Sequence, residues 1–590
     1  MSARQNEVEA LDLMAGARLI LGELRRQALD LGAGLLAALV WSGGRVGLPL
    51  LTGLTIDQAI DLPGGADRGK LLVFVVLIIV FASVQAAAAG VRRLTAMRTS
   101  YRVEADLRKR LYDRVNRLSF DYSDQTGTGQ LMSRGSADLH EVQQLVVMIP
   151  INAAFFLMAV GSFIALLTIH VPLALASMAV YPIVTLITVR FYNHLFPATA
   201  RVQQGMGDMT SVVEENIAGA RLVRSFGRED HETARLRDVA DHIYDDQMEV
   251  ARLRTIYTPL FTFLPAVGQL VVLAYGGWLV INGQVTPGQF IAFFQYLAML
   301  VWPVQGLGEM VASGQRAMTS AARVWNVLRQ EATIGERPHA RSLPPGAGDI
   351  AFEGVTFSYQ PGYPVLRDFT LRVAAGQATA LVGPTGCGKS TVARLLPRFY
   401  DVDEGAITID GCDVRDVKLR DLRQSIGFVF EDTFLFSDSV RNNIAYGNLD
   451  ASDEEIEAAA KLAQAAVFIN ELEDGYDTPV GEQGYSLSGG QRQRIAIARA
   501  VLMQPRVLVL DDATSSVDSR TEEEIRNALR RVMKGRTTII ISHRISTIAL
   551  ADEVVLLDEG RVIDRGAHTE LLARSERYNE VLGRAGAAAR

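Results

Sequence analysis

The chain has 590 residues, 49% of them hydrophobic and 21% charged, with a formal net charge of −7. That length implies more than one domain, and the composition points to an apolar membrane part joined to a soluble part. The acidic balance leaves no nucleic-acid footprint. Its two cysteines, Cys387 and Cys412, provide no disulfide framework and fit a reducing cytoplasm.

The first element is amphipathic. Leu13, Met14, Ala17, Ile20, Leu21, Leu24 and Ala28 recur at helical spacing beside Glu23, Arg25 and Arg26, which predicts a helix lying on the membrane surface within residues 1–30. Charges flank its short apolar runs on both sides, so no cleavable signal peptide is expected.

Six apolar stretches follow, near 31–60, 71–91, 146–169, 172–196, 257–281 and 290–311. Each is long enough to cross a hydrocarbon core about 30 Å thick. The connections after the second and fourth are long and arginine-rich, with Arg92, Arg93, Arg98, Arg102, Arg108, Arg110, Arg114 and Arg117 in one and Arg201, Arg221, Arg224 and Arg228 in the other. The short loops hold Arg68 and Lys70. The positive-inside rule places both termini and both long connections in the cytoplasm, and helical periodicity in those connections predicts that spans two to five continue as helices beyond the membrane. Arg45 stands inside the first stretch, near Trp41. A charge there costs about 3 kcal/mol on insertion scales, so it faces a bundle interior or a watery cavity, or pairs with an acid, or snorkels outward. Residues 331–349, with Pro338, Pro344, Pro345 and Gly346, read as a linker.

The soluble part opens with an alternating strand over 350–359 that ends at Tyr359. The apolar run 378–382 precedes Gly383-Pro384-Thr385-Gly386-Cys387-Gly388-Lys389-Ser390, and a helical stretch from Thr391 follows. This is a phosphate-binding loop in its strand–loop–helix setting. The glycines let backbone N–H groups converge on phosphate oxygens; Lys389 brings a charge to the β/γ-phosphates and Ser390 a hydroxyl to Mg²⁺. Leu487-Ser488-Gly489-Gly490-Gln491 opens a second helix, with its start placed at Gln491, whose free N–H groups can hold a phosphate. The apolar strand 507–510 ends in Asp511 and Asp512, and Asp511 at a buried strand tip can hold Mg²⁺ through water.

Phosphate loop and Leu487–Gln491 together resemble the ATP-binding cassette (ABC) transporters, closely over 350–567 and more loosely over 31–330, where the layout is similar to exporter-type half-transporters. The resemblance implies six membrane helices (domain 31–330) fused to a cytoplasmic α/β P-loop nucleotide-binding domain (350–590). Phe120, Asp121 and Gly129–Arg134 resemble the first coupling helix; Glu214, Gly219, Val223, Phe226 and Glu229 resemble the region of the second. By the same resemblance Tyr359 stacks on adenine, His543 contacts the γ-phosphate, and Ser488, Gly489 and Gly490 reach ATP held by a second cassette. Residues 515–518 resemble the loop linking the two sites, and 478–484 the segment that touches coupling helices, with Pro479 and Gln483 as departures.

Two further departures bear on catalysis. Where the family has the glutamate that polarises the attacking water, this chain has Asp512; where it has a glutamine that touches Mg²⁺ and that water, it has Glu431. The shorter carboxylate stops roughly 1 Å short, a displacement that can cost about 10²-fold in rate. The expectation is therefore a half-transporter with an impaired ATP site of its own, in a bacterial inner membrane, using ATP and Mg²⁺. It pairs with a second half-transporter that has an intact glutamate and a degraded signature, and moves a lipid-like, amphipathic or drug-like substrate. The alternatives are a homodimer with two slow sites, an importer of lipids or siderophores built on the exporter fold, and an ATP-gated channel or regulatory subunit.

Overall fold

The structure is a computed structural model that describes residues 13–61, 65–512 and 519–588. Its contacts divide the chain into two compact units, Met1–Asn116 with Thr128–Gln330, and Arg117–Gly127 with Glu331–Arg590.

The first unit is helical. Among the described residues five helices are long and apolar enough to cross a membrane: Ala28–Ile60, Arg68–Val115, Thr128–Ile169, Val171–Ala218 and Glu229–Ile281. Three of the uninterrupted stretches within them, Arg68–Val115, Val180–Ala218 and Glu229–Val271, carry 48, 39 and 43 residues, well beyond the roughly 20 that a bilayer requires. The extra length is the predicted continuation of the arginine-rich connections as helix. The sixth predicted span differs. It is broken at Leu300 into Pro287–Met299 and Val301–Arg329. The first piece is started firmly, by a Thr286–Gln289 capping box with Pro287 at its first turn, which satisfies the free N–H groups there.

The N-terminal helix Leu13–Arg26 has two apolar sides. Ala15, Leu19, Ile20 and Leu24 are buried, while Leu13, Met14 and Leu21 are exposed. Gly16 is what lets it press close to the helix Val301–Arg329, since an added Cβ would lie 2.4 Å from Met318 O. The periodicity that predicted a surface helix thus serves a protein contact on one of those sides.

Helices in this unit approach closely at small residues, as expected where packing rather than hydrophobicity selects the contact. A Cβ on Gly288 would sit 2.0 Å from Gly53 O. The Asp57 carboxylate seals that crossing, accepting from Gly288 N at 2.7 Å and Thr286 Oγ1 at 2.5 Å. Tyr181 donates to Leu297 O at 2.8 Å and Tyr296 to Val46 O at 2.6 Å, so both large buried phenols are satisfied.

The second unit is α/β. One sheet, order β2-β1-β4-β5, is antiparallel: β1 is Ile350–Gln360, β2 Tyr363–Val373, β4 Glu404–Ile409 and β5 Cys412–Asp413. The other, order β10-β9-β3-β8-β7-β6, contains β3 (Ala378–Val382), β6 (Ile426–Val429), β7 (Val507–Asp511), β8 (Thr537–Ile541), β9 (Glu553–Asp558) and β10 (Arg561–Gly566). Strands β9, β3, β8, β7 and β6 run parallel. Every residue of β3, β7 and β8 is buried, which explains why these read as unbroken apolar runs. Parallel strands with helical crossovers place all their carboxyl ends on one edge, where an open α/β sheet binds its ligand.

Segment 117–127 packs within this unit. Phe120 meets Phe399 with ring centroids 4.5 Å apart, Asp124 accepts from Tyr400 OH, and Ser119 hydrogen-bonds Thr333 at 2.6 Å. The stretch 331–349 is tied down as well: Asp410 accepts from Gly348 N at 2.7 Å and Asp349 N at 3.0 Å.

Candidate functional site

The carboxyl ends of β3, β8, β7 and β6, four neighbours in the sheet, deliver Gly383, Ser542, Asp512 and Phe430. The predicted site residues Lys389, Ser390, Asp511, Asp512, Glu431 and His543 belong to these strand ends or to the turns just after them.

Beyond β3 the loop turns with Gly386 at φ +82° and Gly388 at φ +107°, a region that favours glycine. Gly383 also needs to be glycine, since its Cβ would lie 2.2 Å from Leu557 O. The helix Lys389–Leu395 starts at once from Gly388, two residues earlier than the predicted start at Thr391. Lys389 Nζ donates to Gly383 O and Pro384 O, each at 2.9 Å. The ammonium therefore lies across the mouth of its own loop. Ser390 Oγ donates to Asp511 Oδ1 at 3.3 Å, so two of the three predicted Mg²⁺ ligands, Ser390, Asp511 and Glu431, are already neighbours.

Asp511 is buried at the tip of β7. Burial, then the nearby Glu431 carboxylate, pushes its carboxyl above the usual range, while Ser390 and Arg394 oppose this. Asp512 follows at φ +42°, in the left-handed region that few residues other than Gly, Asn and Asp adopt readily. Its N–H donates to Ile541 O at 2.8 Å, and its Oδ1 accepts from Ser542 Oγ at 3.2 Å. His543 is half-buried; burial and the Lys389 charge lower its pKa, with Asp512 and Glu431 pulling the other way. The charges of Lys389, Glu431, Asp512 and His543 thus act on one another within a single cluster.

Tyr359 stands at the end of β1 with its hydroxyl 3.3 Å from Thr391 Oγ1. Phe357 and Tyr400 meet its ring edge-on, at centroid distances of 4.9 and 5.2 Å. This packing fixes the plane of a ring that remains about a third exposed, at 36%.

The signature helix runs Gly489–Leu502, so it begins at the glycine pair rather than at Gln491. Ser488 is its N-cap: Ser488 Oγ accepts from Gln491 N at 3.3 Å, and Gln491 Oε1 accepts from Ser488 N at 2.9 Å. Among the described residues no hydrogen bond joins this helix start to the phosphate loop. Glu431 and Gly489 instead line one cavity of about 350 Å³, together with Gln483, Tyr485 and Arg492.

Cys387 stands inside the loop. The side chain is 5% exposed and belongs to the hydrophobic core beside Val392 and Leu557, and burial raises its pKa. Only its backbone can serve a phosphate. Sequence reading also passed over Ser542, which engages Asp512, and Arg394, whose pKa Tyr359 helps to raise. Ser542 carried a signal in its place between β8 and His543; Arg394 carried none. Residues 515–518 lie outside the described residues.

Comparison with known proteins agrees with this geometry. The ABC transporter transmembrane region matches residues 31–304 and the ABC transporter ATPase family residues 366–515. A multidrug efflux ATP-binding/permease protein of Mycobacterium tuberculosis is 39% identical over 95% of this chain and 47% of its own length; the chain thus spans about half of that relative. An ATP-dependent lipid A-core flippase of Syntrophus aciditrophicus is 40% identical over 81% of this chain and 79% of its own. The solved structure of a bacterial Atm1-family ABC exporter with ATP bound aligns with a TM-score of 0.78 at 29% identity, covering 95% of this chain and 99% of that one. The chain belongs to the ABC transporter family, as a multi-pass membrane protein with the fold of an exporter-type half-transporter.

Proposed function

We propose that this chain is one half of an ATP-driven membrane transporter, that it carries lipid-like, amphipathic or drug-like molecules, and that the ATP site on its own phosphate loop turns over slowly. The relatives named for multidrug efflux and lipid A-core flipping support the transport reading. The observation that carries the slow site is Asp512. Its carboxylate is one methylene shorter than glutamate and is engaged sideways by Ser542 at 3.2 Å. A shortfall of roughly 1 Å in a water-orienting group can cost about 10²-fold.

The other residues fit a nucleotide. Tyr359 offers a fixed ring face to adenine, and the Gly383–Gly388 backbone and Lys389 cradle phosphates. Ser390, Asp511 and Glu431 would hold Mg²⁺, and the ion would supply positive charge to offset that of the β- and γ-phosphates. Glu431 adds a negative charge beside Asp511 that a glutamine would not. His543, kept neutral by burial and Lys389, can donate one N–H to a terminal phosphate.

An intact signature and an impaired carboxylate on the same chain favour a heterodimer. Ser488, Gly489 and Gly490 complete the partner's ATP site, and the partner supplies the working glutamate. The test is affinity purification of the tagged chain from its native membrane, with mass spectrometry of what accompanies it. A second half-transporter in equal amount, with a glutamate after its β7-type aspartate, is the expected result; a catalytically active assembly of this chain alone contradicts the heterodimer.

A further inference from the structure

Two arginines in the membrane unit share one tryptophan. Arg45 lies 5.9 Å and Arg92 4.6 Å from the centre of the Trp41 ring, both within cation–π range. Neither guanidinium meets a carboxylate among the described residues. For Arg92 the deficit is explicit, because Nε and Nη1 are both buried and have no hydrogen-bond partner. Leaving buried donors unmet destabilises the fold unless something binds them.

Arg45 is deep. Gly44, its neighbour, packs against Gln85, at a Cβ distance of 3.1 Å. Gln85 lies six residues inside the apolar stretch that ends at Val91, roughly 9 Å along the helix axis from that end. Arg45 opens into a cavity of about 560 Å³, within the size range of small-molecule sites. Trp41, Phe155, Met158 and Met299 supply its apolar wall, and Gln295 a polar edge. Phe155 holds the Trp41 ring edge-on, at 5.7 Å and 85°, so the indole cannot turn away from its cations.

The bland explanations account poorly for this arrangement. A structural ion pair requires an acid, and none is present among the described residues. Snorkelling alone leaves unexplained the cavity that Arg45 lines together with Trp41, Phe155 and Met158.

We propose that this cavity binds an amphipathic anion: a carboxylate or phosphate group paired with Arg45, on an alkyl or aromatic body lying against Trp41, Phe155 and the two methionines. Arg92 holds a second positive charge on the same indole and makes the site selective for anions. The ligand class deepens the transport reading above and rests on it, but binding itself requires neither ATP nor a membrane gradient.

The test uses the purified full-length transporter, with its partner subunit where one accompanies it, in phosphatidylcholine nanodiscs. The probes are radiolabelled dodecyl phosphate and dodecyltrimethylammonium, equal in tail and opposite in charge. Wild type binds the phosphate in preference. Arg45→Gln weakens dodecyl phosphate by about tenfold or more, the loss of one charged hydrogen-bonding partner, and leaves the ammonium probe unchanged. Arg45→Lys restores most of the affinity. Arg92→Gln lowers anion binding without touching the cation. Equal affinity for both probes in wild type, or undiminished phosphate binding in a well-assembled Arg45→Gln protein, overturns the proposal. Adding phosphatidylglycerol separates the sources: competition identifies a bilayer lipid as ligand, and no competition a soluble amphiphile. Intact anion binding without any vesicle transport would refute the transport reading and leave the site standing.

Discussion

At the scale of single residues, the ATP site is a set of charges placed by four parallel strand ends, and each charge reports on its neighbours. His543 is the most accessible reporter. Burial and Lys389 lower its pKa below the ordinary histidine value, whereas Asp512 and Glu431 raise it. Near neutral pH the ring is therefore uncharged, and lowering the pH protonates it later than an exposed histidine. Glu431→Gln removes a raising influence and moves the midpoint lower still; Lys389→Ala moves it up. Histidine hydrogen–deuterium exchange across a pH series, read by mass spectrometry, measures both shifts, and a rise in Glu431→Gln would refute the proposed proximity. Cys387 gives a second residue-level prediction. Its thiol is buried and its pKa raised, and the thiolate is the reactive form. Maleimide should label it slowly in the native protein and fast after unfolding; rapid native labelling that blocks ATP binding would contradict this burial.

At the scale of elements, Gly288 shows how tightly two membrane helices meet. An alanine there would bring a Cβ to 2.0 Å from Gly53 O and 2.7 Å from the Asp57 carboxylate. Backbone cannot yield as a flexible side chain does, so Gly288→Ala is expected to destabilise by roughly 1–3 kcal/mol. Thermal unfolding in detergent checks this, and a melting temperature equal to wild type would mean that the helices separate freely. This crossing was invisible in the sequence, where Pro287 and Gly288 fall in the short connection before the sixth apolar stretch. The same is true of the break at Leu300 and of the N-terminal helix's second contact, both of which depend on neighbours distant in the chain. What the sequence did carry were periodicities and motifs. Apolar runs marked the first five spans, and β3, β7 and β8 were legible because burial on both faces leaves them uninterrupted. Lys389, Ser390 and Asp511 were legible because their chemistry fixes their spacing from a strand. The direction of the Cys387 side chain was not, because a loop motif specifies the backbone and leaves the side chain open.

At the scale of the whole molecule, this ABC transporter half is, on the proposed reading, one member of an unequal pair. On that reading the intact helix start at Ser488-Gly489-Gly490 would serve a neighbouring site, while Asp512, set on a left-handed backbone at φ +42° and held by Ser542, would serve its own site weakly. A paired enzyme of this kind loses little when its weaker carboxylate is removed. The decisive measurement is steady-state ATP hydrolysis by the purified, reconstituted transporter with and without Asp512→Ala. The unequal pair predicts that the variant retains turnover within about threefold of wild type, since the working glutamate lies on the partner. A fall of about 10²-fold or more, the scale expected for a misplaced catalytic group, would show that Asp512 is itself the working carboxylate and contradict the account.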